Sequence, residues 1–413
     1  MTTPSSVSSV VDARVECRAC GHLAFDLTDH VAEHGGVDAY HVDHPKAPMV
    51  SEALLKRLQA TRPKAVAEAN ALEVDLMGFK VAVDAAVAST ACLPLPTGYQ
   101  FPTEGKAKDV FKNVLLSLLS GNGVFFHGMP GTGKDALVHA YSAMTRRPVV
   151  MVTFRPGTDL APWFYTRSIS TDGTGWEFGH LWNALTQGVE GRDGKVRAPI
   201  VLLSDVDRAD SAQAEWFRIL TDSISGRILD PHGKMVPLVE DSWGRKPQFV
   251  CTANSVGTGD DRGRMASANP MDASILDRLG HKWEAVYMDW KDEGRILRSL
   301  FPEVAEAAPW MFDGQVGVDG KYVAGELGMA TKAIREAVES GDIYGELTMR
   351  GLCDILSHAR NLLKWQFKGK APANLTKRAF QVWLNGLGAD DRFNAARVMD
   401  PHVGSGAFEN TSV

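Results

Sequence analysis

A glycine-rich segment at residues 124–135, VFFHGMPGTGKD, has the residue types needed to bind a phosphate group. In the pattern G-x-x-x-x-G-K-[ST], glycines let consecutive backbone N–H groups curl around a phosphate, and the lysine reaches the terminal phosphates. Lys134 occupies the lysine position, but Asp135 stands where a Ser or Thr hydroxyl would hold magnesium. The segment therefore predicts nucleotide binding with an altered metal position. The predicted nucleotide-binding residues are Gly128, Pro130, Gly131, Thr132, Gly133, Lys134 and Asp135.

A second segment, IVLLSDVD at residues 200–207, has the pattern of an apolar strand that ends in acidic residues. Carboxylate oxygens suit magnesium, so Asp205 is predicted to hold the metal directly or through water, together with Asp135. Val206 stands where a glutamate usually orients the attacking water. Asp207 would lie on the same side as Asp205 if the strand stays extended, and it is therefore the candidate base.

Three polar residues follow at positions where a nucleotide pocket needs them. Asn254 comes directly after an apolar run and could position the attacking water. Arg278 ends a short helical stretch and could neutralise charge at the nucleotide of a neighbouring subunit, while Arg350 lies near the start of a later helix. Their order and spacing together indicate a nucleotide site.

The elements that must position these residues alternate between helix and strand from about residue 106, which predicts a largely parallel sheet with helices on both faces. After about Asp289 the strand signals stop, so residues 291–400 are expected to be helical. Residues 51 to about 77 have a helical composition. The expected strands are 123–126, 148–154, 199–203 and 248–252, and the expected helices of this domain are 109–119, 135–144 and 212–223.

Taken together, these motifs resemble those of the AAA+ ATPases, in particular the MoxR branch and the AAA+ subunit of aerobic cobaltochelatase. The resemblance extends over about residues 95–365 and rests on GMPGTGKD, IVLLSDVDRAD, TAN, LDRL and TMRG, and on the segment 175–185. It implies an AAA+ P-loop NTPase fold with a small helical lid. It also implies that Asn254 is sensor 1, Arg278 the arginine finger and Arg350 sensor 2.

The resemblance further implies the ligands and partners. ATP with Mg²⁺ is the expected nucleotide, and a hexameric ring is expected because the arginine finger acts on a neighbour. The partner in the family is often a von Willebrand factor A domain protein. The zinc-finger-like start of the chain makes it more similar to cobaltochelatase-like proteins of phages than to a cobalamin enzyme. Slow hydrolysis is expected, because one element of the usual metal and base pair is replaced.

An alternative alignment with the family's acidic strand shifts the assignments by one residue. Ser204 then stands at the magnesium-holding position and Asp205 becomes the base. Both alignments remain open at this point.

A possible zinc site lies near the start of the chain, in the spacing Cys17-x2-Cys20-x9-His30-x3-His34. Two thiolates and two imidazoles in such a pattern favour a tetrahedral Zn²⁺. The spacing resembles a Ros/MucR zinc finger. Acidic flanking residues disfavour contact with nucleic acid, so a structural or protein-docking finger is the preferred interpretation.

Composition limits the remaining possibilities. The chain has 413 residues, a net charge of −6 and five cysteines. No apolar run reaches the roughly 18 residues of a membrane span, and the first residues do not resemble a signal peptide. We therefore expect a cytoplasmic protein, in the host cytoplasm if it is phage-encoded, with no membrane partner and no disulfide framework.

The predicted organisation is a disordered lead (1–14), a zinc-finger-like domain (15–50), a helical or extended linker (51–95), an AAA+ domain (96–288), a helical lid (289–400) and a tail (401–413). Three functions are considered: an ATP-driven remodeller of a protein partner, a nucleotide-stabilised assembly with vestigial hydrolysis, and a DNA-associated ATPase. The aromatic residues Trp163, Phe164 and Tyr165 are expected to belong to the core or an interface, although they could also grip a polypeptide.

Overall fold

The computed structural model describes residues 73–170, 173–210, 226–257, 268–313 and 324–404, and a few positions outside these ranges. These positions are 15–16, 19–20, 23–24, 213, 216 and 259. The chain divides into two compact units, one with residues 1–75 and 79–82 and the other with residues 76–78 and 83–413.

A five-stranded parallel sheet forms the centre of the larger unit. Its strands are β5 (Val124–Gly128), β6 (Val149–Thr153), β11 (Ile200–Ser204), β14 (Gln248–Ala253) and β15 (His281–Ala285), in the spatial order β15-β5-β14-β11-β6. The central strands are nearly continuous apolar runs buried on both faces, as expected for a parallel sheet covered by helices. The four predicted strands are confirmed. Strand β15 was not predicted, and its polar sequence HKWEA suits an edge strand.

Helices precede and follow these strands. The predicted helices 109–119 and 135–144 are confirmed, while most of 212–223 lies outside the described residues. The helices that accompany the sheet are α1 (Gly105–Leu119), α2 (Lys134–Thr145), α3 (Ala161–Phe164), α4 (His180–Thr186) and α5 (Ala273–Arg278).

Short antiparallel hairpins complete the strands. The helix predicted over residues 51 to about 77 is wrong at its end, because β3 (Glu73–Leu76) pairs with β4 (Phe79–Ala82). Met77 and Gly78 join them with positive φ at both positions, as a tight two-residue turn requires. The other hairpins are β1 (Val15–Glu16) with β2 (Leu23–Ala24), β7 (Tyr165–Ser170) with β8 (Gly173–Phe178), β9 (Val189–Glu190) with β10 (Val196–Arg197), and β12 (Arg227–Leu229) with β13 (Met235–Pro237).

The aromatic segment before β7 packs into the sheet domain. Phe164 is fully buried and stacks on Trp216, with ring centroids 4.9 Å apart. Tyr165 makes an edge contact with Trp182 of α4. Phe164 therefore belongs to the core, as the preferred interpretation expected.

Within its described residues the C-terminal region is helical, as predicted for residues 291–400, apart from an isolated bridge between Asp313 and Ala324. Its helices enclose a separate apolar core that includes Leu356 and Phe380. The helices are α6 (Trp290–Leu300), α7 (Pro302–Ala307), α8 (Glu326–Ser340), α9 (Met349–Asn361), α10 (Leu375–Leu384) and α11 (Ala389–Met399).

One buried carboxylate ties this helical domain to the segment before α1. Asp292, in the first turn of α6, accepts hydrogen bonds from the Thr103 backbone N–H (2.7 Å) and hydroxyl (2.6 Å). It also pairs with Arg295 at 2.9 Å. Because the carboxylate is fully buried, its hydrogen bonds replace the solvent that it has lost.

We expect Asp292→Ala to lower the free energy of unfolding by about 1–3 kcal/mol, because the hydrogen bonds from Thr103 and the ion pair with Arg295 are lost. Urea denaturation followed by circular dichroism measures the loss. Glu336→Ala removes an exposed carboxylate whose pairing with Lys332 spans 3.8 Å, and should change stability by less than about 0.5 kcal/mol. Equal effects of the two substitutions would contradict this role of Asp292.

Candidate functional site

The loop between β5 and α2 forms the base of the site. Gly128 and Gly131 both have positive φ, at 132° and 75°. A Cβ on Gly128 would lie 2.5 Å from the Ala285 carbonyl oxygen, and one on Gly131 would lie 2.6 Å from Thr348 Cβ. Glycine is therefore required where the loop approaches the end of β15 on one side and the start of α9 on the other.

Lys134 points back into the curve of this loop. Its ammonium group donates to the carbonyls of Gly128 (2.7 Å) and Met129 (2.9 Å), and to Asn254 Oδ1 (3.3 Å). Burial lowers the pKa of Lys134 to about 8, although the nearby carboxylates of Asp135 and Asp205 act in the opposite direction. The structure thus places a buried cation among the backbone groups of the predicted phosphate loop.

Asp135 joins the start of α2 to the ends of two central strands. Its Oδ2 accepts a hydrogen bond from the Ser204 hydroxyl at the end of β11 (2.6 Å), and its Oδ1 accepts one from the Thr252 hydroxyl of β14 (2.7 Å). Both hydroxyl-bearing residues are buried. Parallel strands bring their carboxyl ends to one edge of the sheet, and this edge is where the loop and the acidic strand meet.

Asp205 is the first residue after β11 and adopts a left-handed conformation, with φ at 56°. Its Oδ1 accepts a hydrogen bond from Asn254 Nδ2 (3.3 Å), and its Oδ2 lies 3.7 Å from Arg208 Nε. Burial raises the pKa of Asp205, and the neighbouring Asp135 and Asp207 add to this effect, while Arg208 opposes it.

Asp207 lies in a short 3-10 helix, Val206–Arg208, rather than in an extended strand. The strand does not stay extended through Asp207, so the expectation that Asp207 lies on the same side as Asp205 loses its basis. Its buried Oδ2 accepts the backbone N–H groups of Asn254 (2.9 Å) and Ser255 (3.0 Å). Its buried Oδ1 has no hydrogen-bond partner among the described residues. The carboxylate holds the turn that presents the Asn254 side chain.

The two predicted arginines lie at the ends of helices. Arg278 is the last residue of α5 and Arg350 the second residue of α9, and both are exposed. Thr348, the N-cap of α9, packs close to Gly131. Direct hydrogen bonds link Lys134, Asp205 and Asp207 to Asn254, and the Thr252 hydroxyl connects Asp135 to the Asp205 backbone.

Tyr287 contacts the phosphate loop, although its sequence position did not predict this. Its hydroxyl donates to the Pro130 carbonyl (3.0 Å), and the Arg335 guanidinium lies 3.8 Å from its ring centroid. Arg335 in turn forms an ion pair with the buried Glu293 (2.8 Å). Burial raises the pKa of Tyr287, so its phenol remains a donor at neutral pH.

Of the four predicted zinc ligands, Cys17, His30 and His34 lie outside the described residues. Cys20 lies in an exposed turn. Within the described ranges, no group of three or more His, Cys, Asp or Glu side chains is arranged to hold a metal ion. The zinc site stays a prediction.

The strand order, the phosphate loop and the helical C-terminal domain define the fold of the AAA+ P-loop NTPases. Residues 123–279 match the family model described as an AAA domain of the dynein-related subfamily. That segment contains the loop, the acidic strand, Asn254 and Arg278, whereas Arg350 lies beyond it.

Solved structures of bacterial proteins are also similar. A mutant of RuvB from Thermotoga maritima has 14% sequence identity and a TM-score of 0.40, over 71% of this chain and 73% of that chain. NtrX from Brucella abortus has 14% identity and a TM-score of 0.39, over 71% and 64%. No curated protein matches the chain. Over the described part of the chain, no helix is long and apolar enough to cross a membrane.

We expect Asp207→Ala to lower the free energy of unfolding by about 2–3 kcal/mol, because two backbone amides lose their acceptor. Asp207→Asn should cost less, since one carboxamide oxygen can still accept. Asp159→Ala, which removes an exposed carboxylate that accepts a single amide at 2.9 Å, serves as the control and should cost under about 1 kcal/mol. Thermal and urea denaturation would refute the bracing role if all three variants had equal stability.

Proposed function

We propose that this chain binds ATP with Mg²⁺ and hydrolyses it slowly, as a ring-forming AAA+ ATPase that remodels or assembles a protein partner. The observation that carries the proposal is the buried ammonium of Lys134 within the phosphate loop. It forms a hydrogen bond with Asn254, which directly follows β14, the strand beside β5 in the sheet. An AAA+ fold with this constellation at the carboxyl edge of its sheet supports a nucleotide ligand.

Each side chain has a role in the proposal. The backbone N–H groups of the loop, apart from Pro130, which has none, and the Lys134 ammonium would bind the phosphates. Asp135 would provide a hard oxygen ligand for magnesium, and Asp205 would provide a second one if Asp207 is the base. Magnesium, when bound, would neutralise charge on the phosphates. Asn254 would orient the attacking water, because its amide already lies between Lys134 and Asp205.

The identity of the base has two alternatives, Asp205 and Asp207. The two amide donors on Asp207 Oδ2 favour Asp205, whose Oδ1 accepts only a long bond from the Asn254 carboxamide. An aspartate at this position reaches less far than the usual glutamate, and this supports slow hydrolysis. Arg278 would act on the nucleotide of a neighbouring subunit, and Arg350 would contact the nucleotide from the helical domain.

The finer assignments extend the resemblance. We place the chain with MoxR-like and cobaltochelatase-like proteins of phages, acting in the cytoplasm as a hexamer on a partner such as a von Willebrand factor A domain protein. The zinc finger formed by Cys17, Cys20, His30 and His34 would dock protein; DNA binding by it is the least favoured alternative. A nucleotide-stabilised assembly with vestigial hydrolysis is the second candidate function, favoured by the altered residue at Asp135.

We expect Lys134→Ala to weaken the binding of a fluorescent ATP analogue by about 10- to 100-fold, because charge-assisted hydrogen bonds to phosphate are lost. Fluorescence anisotropy measures the affinity. Lys332→Ala, on the exposed side of α8, is the matched control and should bind as the wild type does. Unchanged affinity in Lys134→Ala would overturn the assignment of the phosphate loop.

Arg278→Ala should abolish steady-state phosphate release while leaving ATP affinity within about threefold, because its guanidinium serves the neighbouring site. Mixing this variant with Lys134→Ala should restore part of the activity, since a mixed ring pairs an intact loop with an intact arginine. Tight ATP binding by wild-type protein without turnover would instead favour the nucleotide-stabilised assembly. No recovery on mixing would contradict action between subunits.

A further inference from the structure

At the proposed metal position of this site, the helix supplies a carboxylate and the strand supplies a hydroxyl, which is the reverse of the usual arrangement. In P-loop NTPases the helix after the loop begins with a Ser or Thr that holds magnesium, and the acidic strand supplies an aspartate. Here the helix supplies Asp135, and the strand β11 ends in the buried Ser204. The two side chains form one hydrogen bond of 2.6 Å.

We propose that Asp135 and Ser204 have exchanged the two roles, so that the helix carries the carboxylate and the strand carries the hydroxyl of one metal site. This inference rests on the proposed function and specifies its metal site. The exchange explains why Asp135 is tolerated beside the phosphate loop. The site keeps one carboxylate and one hydroxyl, and its charge is the same as in the usual arrangement.

The residues present fit magnesium. The ion takes six oxygen ligands at about 2.1 Å, which places neighbouring ligands about 3 Å apart. Asp135 Oδ2 and Ser204 Oγ are 2.6 Å apart, so a small separation would bring both to that spacing. Each carboxylate oxygen has two lone pairs, and Ser204 uses one of those on Oδ2.

Thr252 serves as a positioning residue in this arrangement. Its buried hydroxyl donates to Asp135 Oδ1 at 2.7 Å and accepts the Asp205 backbone N–H at 3.3 Å. The Asp135 carboxylate is therefore held from both oxygens, with Oδ2 directed toward Ser204. With Ser204 at the metal-holding position of the strand, Asp205 is the residue after it. This agrees with the alternative alignment in which Asp205 is the base.

A structural clamp is the competing explanation, because the same hydrogen bonds attach α2 to the sheet. The two explanations differ in what restores the site. A clamp needs only a donor and an acceptor in contact. A metal site needs one of the two residues, at position 135 or 204, to be a carboxylate. Asp135→Ser therefore separates them, because two hydroxyls still provide a donor and an acceptor but no carboxylate.

The test measures the affinity of full-length protein for a fluorescent ATP analogue, in EDTA and in Mg²⁺, and the affinity of the analogue complex for Mn²⁺ by electron paramagnetic resonance. Wild-type protein should gain at least about tenfold in analogue affinity from magnesium. Asp135→Ser should lose this gain, because two hydroxyls face each other. Ser204→Asp should bind the analogue about tenfold more weakly in EDTA, because two carboxylates then lie near the phosphates.

The double variant Asp135→Ser with Ser204→Asp tests whether the carboxylate can return to the strand and the hydroxyl to the helix. The exchange predicts that it recovers the magnesium gain and the Mn²⁺ affinity to within about threefold of wild type. A double variant no better than the combined single variants overturns the exchange.

If the double variant fails to fold, a conservative single variant and its control test the same exchange. Asp135→Asn should lose the magnesium gain and retain the EDTA affinity, while Asp390→Asn, in the first turn of α11, should change neither. A full magnesium gain in Asp135→Asn overturns the exchange alone. No analogue binding by wild-type protein under either condition overturns the proposed function itself.

Discussion

The candidate site depends on the burial of one cation. The Lys134 ammonium is removed from solvent and compensated by two loop carbonyls and by carboxylates that surround it. A buried ammonium without such partners would cost several kcal/mol or lose its proton. The conformation of the loop, the position of α2 and the acidic end of β11 are therefore mutually dependent, and the parallel sheet is what brings them together.

Much of the nucleotide-binding domain was predictable from its sequence, for a physical reason. Strands such as β11 and β14 are buried on both faces, so their apolar runs stand out from the surrounding polar segments. The loop glycines were predictable because only a few residue patterns allow that backbone path. The edge strand β15 and the hairpin of β7 with β8 are partly exposed and polar, so their sequences carry no comparable signal.

Within the site, the sequence predicted the loop residues and Asn254 but not how the polar side chains pair. The residues allowed a second alignment of the acidic strand beside the first. The end of β11 at Ser204 and the turn that follows favour one of them, because they place the serine opposite Asp135. Tyr287 could not be foreseen, since its bond to Pro130 joins residues far apart in the sequence.

The same loop is also held from the helical domain. Gly131 lies against Thr348 at the start of α9, and Tyr287 connects Pro130 to Arg335 of α8. The shape of the loop and the orientation of the helical domain are thus linked equilibria. A ligand that favours one loop shape therefore favours one orientation of the helical domain. A partner that favours that orientation raises the ligand affinity of the loop by the same coupling free energy.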